Sequence, residues 1–345
     1  MKAKNINIPE LMNHYKVPGL SIALIEKRQI SAIESYGVLQ SGSTKRVSEN
    51  SIFNACSISK FLTGIAVIKL TEEGLLNLDE DVNIKLKSWK VPEDKFTTHK
   101  KVTLRSLLSH QSGIVDPKHS FFELKSSVGV PSMVDILEGK TPYCNEPIEV
   151  KYEPESEFHY SDAGYCIIQQ LIEDVTEKPF KQVVNELLFK LLKMENSLFV
   201  ANTSDIGNEN FSSGHNKNGE VEVGNYPVYP YPAASGIWTT TIDLARLVLE
   251  FMDALKGESN IGISASYAKE MISPQRGKKW CGLGVFLNGE GTELEMSSLG
   301  WGVGFQCMIV AFPHRETGAV IMTNAELGVH QMEGIIGEIY KSLEI

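Results

Sequence analysis

The sequence predicts an α/β (α+β) fold: an antiparallel sheet built from both ends of the chain, flanked by helices, with a mostly helical lobe inserted between them. Three observations predict it. Strand-like segments stand near the N-terminus and again after residue 235. Helical periodicity dominates the middle of the chain. The C-terminal strand-like segments are joined by short hairpin-type turns, NGEG and HRETG, and consecutive hairpins make antiparallel sheets. The expected division gives residues 1–82 and 220–345 to the sheet lobe and 83–219 to the helical lobe. A crevice between two such lobes is a natural ligand site.

Taken in order, Pro9 after Ile8 marks a helix start, and ELMNHY completes a short first helix. VPGLSIALIEKRQISAIESYGV reads as two strands joined at Lys27–Gln29, alternating loosely as strands do in a sheet covered on both faces. A long apolar run from Phe61 to Leu70 makes a buried helix that stops near Gly74. LRSLLSH (104–110) is amphipathic, and SDAGYCIIQQLIEDVTEK (161–178) carries Cys166, Ile167, Leu171, Ile172 and Val175 at helical spacing. PFKQVVNELLFKLL (179–192) opens with a proline, another helix-start mark. TTIDLARLVLEFMDAL is a helix with Thr241 or Asp243 near its cap. CGLGVFLNG, GTELEMSSL, FQCMIVAFPH and GAVIMTNAE read as strands, and HQMEGIIGEIYKSLE as a closing amphipathic helix.

Composition narrows the function. The chain has 345 residues, 42% hydrophobic and 22% charged, as in ordinary globular proteins that bury a large core. A formal net charge of −10 repels polyanions, and RGKKW (276–280) is too short to make a basic patch, so no nucleic-acid partner is expected. No stretch approaches the roughly 20 apolar residues that cross a bilayer. The N-terminus lacks the apolar core of a secretory leader, so the expected location is cytoplasmic, or extracytoplasmic if a leader has been trimmed. Cys56, Cys144, Cys166, Cys281 and Cys307 are odd in number and scattered without a CxxC, which fits buried small apolar residues rather than disulfides or a zinc knuckle.

The stretch NACSISKFLTGIAVIKL (54–70) carries the chemistry. Ser57 and Lys60 are three apart, one helical turn, on one helix face. Serine is a poor nucleophile at neutral pH unless a base lies within hydrogen-bond reach. A lysine sheltered from water has its ammonium form disfavoured and can take or relay a proton. Free backbone N–H groups at the helix start, with an amide from a neighbouring strand, would stabilise an oxyanion. The plain alternative is a helix cap beside a lysine whose stem lies along apolar surface while its head reaches water. A second SxxK, Ser266–Lys269, sits in a surface-like helix without companions and reads as structural. Tyr160 stands just before a helix start, where Ser161 or Asp162 would cap and the ring would pack.

The order of SISK in NACSISKFLTG, LRSLLSHQSGI, FHYSDAGYCIIQQLIE, PAASGIWTTTIDLARLV and GWGVGFQ before two strands resembles the serine β-lactamase-like family. That family includes class C β-lactamases, D-alanyl-D-alanine carboxypeptidases, other penicillin-binding proteins and related esterases. The likeness runs from VPGLSIALI to VIMTNAE and implies the β-lactamase/transpeptidase-like fold. It also implies a serine hydrolase that forms an acyl-enzyme with an ester or amide (peptide or β-lactam) substrate, without metal or organic cofactor. By position, Ser57 resembles the acylated nucleophile and Lys60 the lysine that deprotonates or orients it. Tyr160 matches the tyrosine of the Tyr-x-Asn motif, which shuttles the proton to the leaving group. The Ser57 amide would form half of the oxyanion hole.

Two departures qualify the resemblance. The Tyr-x-Asn position reads Tyr160-Ser161-Asp162, and Asp162 can accept from Lys60 but cannot donate to a substrate carbonyl. As an anion it would hold Lys60 protonated. The third family motif, (Lys/His)-(Thr/Ser/Gly)-Gly, aligns with Ser298-Leu299-Gly300, so a substrate carboxylate loses its expected cation and Leu299 would narrow the site. Trp301 would line the pocket, and YPVYPYPAASG (226–236) would form an ordered loop shaping it. His110 reads as structural, His159 as a residue that could face the cleft, and Cys56 as inert. The alternative function is a binding or regulatory protein that keeps the fold with little turnover. Sequence leaves the substrate and the oligomeric state open.

Overall fold

The computed structural model describes residues 6–124, 129–202, 206 and 210–343. Helix α1 (Ile8–Tyr15) is capped by Asn7, whose side chain accepts from the Glu10 N–H, with Pro9 in the first turn. Strands β1 (Gly19–Glu26) and β2 (Gln29–Gly37) form a hairpin whose turn residues Lys27 and Arg28 both have positive φ, the twist a two-residue hairpin turn demands. The short β3 (Phe53–Asn54) leads through a 3-10 turn (Cys56–Ile58) into α2 (Ser59–Glu72), and Gly74, φ 73°, closes that helix as expected.

The middle of the chain holds α3 (Leu104–Leu108), α4 (Met133–Leu137), α5 (Asp162–Thr176) and α6 (Phe180–Val184), then β4 (Leu198–Phe199). After it come β5 (Ile237–Thr239), α7 (Thr241–Lys256) and α8 (Ala265–Met271). The chain then forms β6 (Phe286–Asn288), β7 (Glu295–Gly302), β8 (Phe305–Phe312), β9 (Thr317–Thr323) and α9 (Ile335–Ser342).

The main sheet has the order β2-β1-β9-β8-β7-β6, antiparallel throughout, so the N-terminal hairpin is zipped onto the C-terminal strands. Side-chain alternation splits its central strands between two cores. Ala23, Ile25, Cys307, Ile309, Val320 and Met322 face the larger core, which contains α2. Leu20, Ile22, Leu24, Met308, Val310 and Ile321 face the smaller one, built with α1 and α9. Helix α2 is buried on nearly every side, Lys60 included.

Four local expectations change. Strand β2 is partly exposed along its length because it is the sheet edge; only β1 of that hairpin is covered on both faces. Thr240, not Thr241 or Asp243, caps α7, accepting from the Asp243 N–H at 3.2 Å. The helix expected over 179–192 keeps α geometry only to Val184 and continues as a π turn, Asn185–Phe189. The closing helix starts at Ile335, because Gly334 separates it from a 3-10 turn at Gln331–Glu333. A second sheet of very short strands, order β3-β5-β4, had no counterpart in the sequence reading.

Candidate active site

The site is assembled where the first turn of α2 meets the helical segment and the β7 end of the main sheet. Asn54 sets up the turn: its side-chain oxygen accepts from the Cys56 N–H at 2.9 Å, and its amide donates to the Pro227 carbonyl at 3.1 Å. Cys56 adopts φ 48°, a left-handed conformation costly for a residue with a Cβ, and so turns the chain sharply just before Ser57. The turn lies against β7, where Gly300 has no Cβ: one would collide with the Ala55 carbonyl and the Cys307 sulfur. That close approach gives glycine at this position a physical reason.

Lys60 Nζ donates to Ser57 Oγ at 3.3 Å, to Asp162 Oδ1 at 2.6 Å and to the Ala234 carbonyl at 2.9 Å. It also lies 4.7 Å from the Tyr160 ring centre and 5.4 Å from that of Tyr165. The Lys60 side chain is 4% exposed. Burial by itself pushes the ammonium toward losing its proton, but the charge of Asp162, then Tyr160, and hydrogen bonds to both more than offset it. Lys60 is therefore held as a cation, as an anionic residue 162 implies; the sheltered neutral lysine does not describe it. Nor is it a lysine reaching for water.

Asp162 is placed by the start of α5. Ser161 is the cap, accepting from the Gly164 N–H at 3.0 Å. Three groups converge on Asp116, a residue the sequence reading missed. The Ser161 hydroxyl and the Ala163 N–H donate to its Oδ1 at 2.7 and 2.9 Å, and the Asp162 N–H donates to its Oδ2 at 2.9 Å. Burial, and then the charge of Asp162, push the Asp116 carboxyl above its ordinary value; the hydrogen bonds oppose them. A lone aspartate in a loop, 45 residues from its hydroxyl partner, gives no sequence signal.

His110 is buried and stacks on Tyr160 with ring centres 4.4 Å apart. Its Nδ1 accepts from the Ser161 N–H at 3.1 Å. Burial, and then the Lys60 charge, push its imidazolium well below the ordinary histidine range. His110 is thus a neutral support for the tyrosine. His159 instead stacks on Tyr152 and pairs with Glu157.

Ser57, Lys60, His110 and Tyr160 line a narrow crevice with Gly284, Val285, Phe286, Ser298 and Leu299. Tyr160 is 43% exposed at its mouth. Strand alternation separates the third-motif residues. Ser298 and Gly300 face the α2 side, whereas the Leu299 side chain packs into the α1/α9 core on the other face. Leu299 therefore brings backbone, not bulk, to the crevice. Trp301 shares the Leu299 face, stands 41% exposed and donates its indole N–H to Glu326 at 3.1 Å, away from the crevice. The 226–236 loop lies against the site, its Ala233 and Ala234 carbonyls accepting from Thr63 and Lys60. Cys56 is buried with its thiol pushed up by burial, as an inert residue would be. Among the described residues no group of His, Cys, Asp or Glu is arranged to hold a metal ion, and no helix is long and apolar enough to cross a membrane.

The family model described as Beta-lactamase matches residues 6–335. The chain belongs to the Beta-lactamase family. Among curated relatives, Protein flp of Staphylococcus aureus (strain MW2) is 25% identical over 224 residues, 65% of this chain and 42% of that protein. The chain thus spans less than half the length of that relative. Two solved structures share the Beta-lactamase-family fold. The penicillin-binding protein from Bacillus halodurans superposes with a TM-score of 0.75 at 19% identity, covering 98% of this chain and 99% of its own. The β-lactamase/D-alanine carboxypeptidase from Yersinia pestis gives 0.75 at 18%, covering 97% and 95%.

Proposed function

We propose that this protein is a serine acyl hydrolase that opens an uncharged ester or amide through an acyl-enzyme on Ser57. The observation that carries the proposal is Lys60, a buried cation bridging Ser57 Oγ at 3.3 Å and Asp162 at 2.6 Å in a crevice shared with Tyr160. Lys60 as a cation orients Ser57 and lies beside the Tyr160 ring. Ser57 Oγ bonds to the substrate carbonyl carbon while its proton passes to the Tyr160 oxygen and the Tyr160 hydroxyl proton moves toward the leaving group. Collapse of the tetrahedral intermediate breaks the bond to the leaving group, which takes the proton from Tyr160. Water then repeats both steps on the acyl-enzyme. The Ser57 amide and an amide of the adjoining β7 edge supply the oxyanion donors.

Charge sets the substrate class. In the crevice Lys60 and Asp162 offset each other, Ser298-Leu299-Gly300 supplies no further cation, and Val285 and Phe286 are apolar. Phe286 continues into an aromatic rim through Trp280 and Phe158, with ring centres 6.3 and 4.5 Å apart in turn. Neutral esters with apolar acyl groups fit this lining better than β-lactams or peptides that carry a carboxylate beside the scissile bond.

The proposal is tested by incubating the protein with a fluorophosphonate, with a fluorescent penicillin and with p-nitrophenyl butyrate. The expected result is a fluorophosphonate adduct on Ser57 by mass spectrometry, and ester hydrolysis that Ser57→Ala abolishes. No adduct with either probe would overturn it. The held charge on Lys60 favours a second reading, a binding or regulatory protein with little turnover; ester hydrolysis lost in Ser57→Ala would remove that reading.

A further inference from the structure

We infer that Asp116 is a positioning residue of this site, fixing the first turn of α5 so that Asp162 meets Lys60 and through it Ser57. The inference rests on the acyl-transfer reading above and adds a residue to it. The geometry carries it. Asp116 takes hydrogen bonds from the Ser161 hydroxyl and from the Asp162 and Ala163 amides, all at the start of a 15-residue helix. Both its oxygens only accept, which fits an ionised carboxylate, and a negative charge at a helix N-terminus is favourable. Ser161 in turn accepts from the Gly164 amide, so one carboxylate and one hydroxyl serve three successive N–H groups of α5. An ordinary cap would stop at Ser161.

The second carboxylate has a cost: it stands near Asp162, and two anions repel. That repulsion adds to burial, the larger cause, in raising the Asp116 carboxyl, and is countered by the Lys60 cation on the far side of Asp162. The order along the line is Asp116, the α5 start with Asp162, Lys60, Ser57. Each link is a hydrogen bond of 3.3 Å or less. Of the other titratable groups, Cys144 and Cys166 lie near Asp116, each with its thiol pushed up by burial, and His110 is neutral.

The test uses the rate of Ser57 modification by a fluorophosphonate from about pH 5 to 10. Asp116→Asn is expected to lower the plateau rate by about tenfold to a hundredfold. It should also bring the alkaline limb to lower pH: a misplaced Asp162 holds the ammonium less well, so the Lys60 cation that orients Ser57 is lost sooner as pH rises. Asp162→Asn should do the same, and the double variant should be within about twofold of the worse single variant, because both changes act through one contact. A cap of purely structural value would leave the pH profile in place. Parent-like kinetics in Asp116→Asn, or losses that multiply in the double variant, would overturn the inference. A crystal structure of Asp116→Asn, or of Asp116→Ser should the first not fold, reads it without activity. Retention of the Lys60–Asp162 contact at 2.6 Å would overturn it even if the parent proved unreactive, an outcome that by itself sinks only the acyl-transfer reading.

Discussion

Lys60 carries its charge almost out of water, so the groups around it must match that charge. Asp162 does so directly, and the Ala234 carbonyl and Ser57 hydroxyl accept further hydrogen bonds from the ammonium. His110 is the counterpart on the neutral side. Its ring supports Tyr160, and its Nδ1 must stay unprotonated to accept from Ser161. Burial, and then the Lys60 charge, depress the proton affinity of His110 below its unfolded value of 6.5, and the unfolded chain binds the extra proton. The resulting stability is present above pH 6.5 and is lost as pH falls below it, by up to about 1.4 kcal/mol per pH unit. His110→Asn should flatten that limb. Asparagine tolerates the left-handed backbone found at 110, φ 56°, and its side-chain oxygen can still accept from Ser161. Urea midpoints from about pH 5 to 8 check this; an unchanged slope in the variant would assign the acid loss to other groups.

At the scale of elements, the site depends on how three segments start or end: the turn into α2, the cap of α5 and the β7 strand beside Ser57. Gly300→Ala tests the last. A methyl group there must displace the Ala55 carbonyl, which accepts from the Ile58 N–H and the Cys307 thiol. The turn that carries Ser57 would then move off the strand. We expect a loss of about 1–3 kcal/mol in urea unfolding. Ser57 labelling should fall by about tenfold or more, the loss expected when reacting groups shift by an ångström or less. Labelling at the parent rate would mean that β7 does not position the nucleophile. These segments also show what the sequence made readable. The apolar run after Lys60 and the spacing in 161–178 announce buried helices, so the turns carrying Ser57 and Asp162 could be placed beforehand. Strands β3 and β4 span two residues each, too short for any period to register. The face taken by Leu299 and Trp301 depends on strand register, which a slip of one residue inverts; hence both were expected in a pocket that their side chains do not enter. Asp116 was invisible because its partners come from a distant helix start.

At the scale of the molecule, the sheet is a partition. Joining β1 to β9 closes the two ends of the chain into one platform, with Ser57 and α2 on one face and α1 and α9 on the other. Stability and chemistry should therefore separate. Leu24 lies in β1, 1% exposed, in the core remote from Ser57. Leu24→Ala removes buried apolar volume and leaves a cavity that neighbouring strands cannot close, at about 2–5 kcal/mol. The variant should unfold at lower urea, yet while folded at 25 °C it should label at Ser57 within about twofold of the parent, since distant sites act independently. A labelling rate that fell in step with stability would instead mean that the Ser57 face depends on packing across the sheet. The division of the core into two faces would then describe geometry without mechanical consequence.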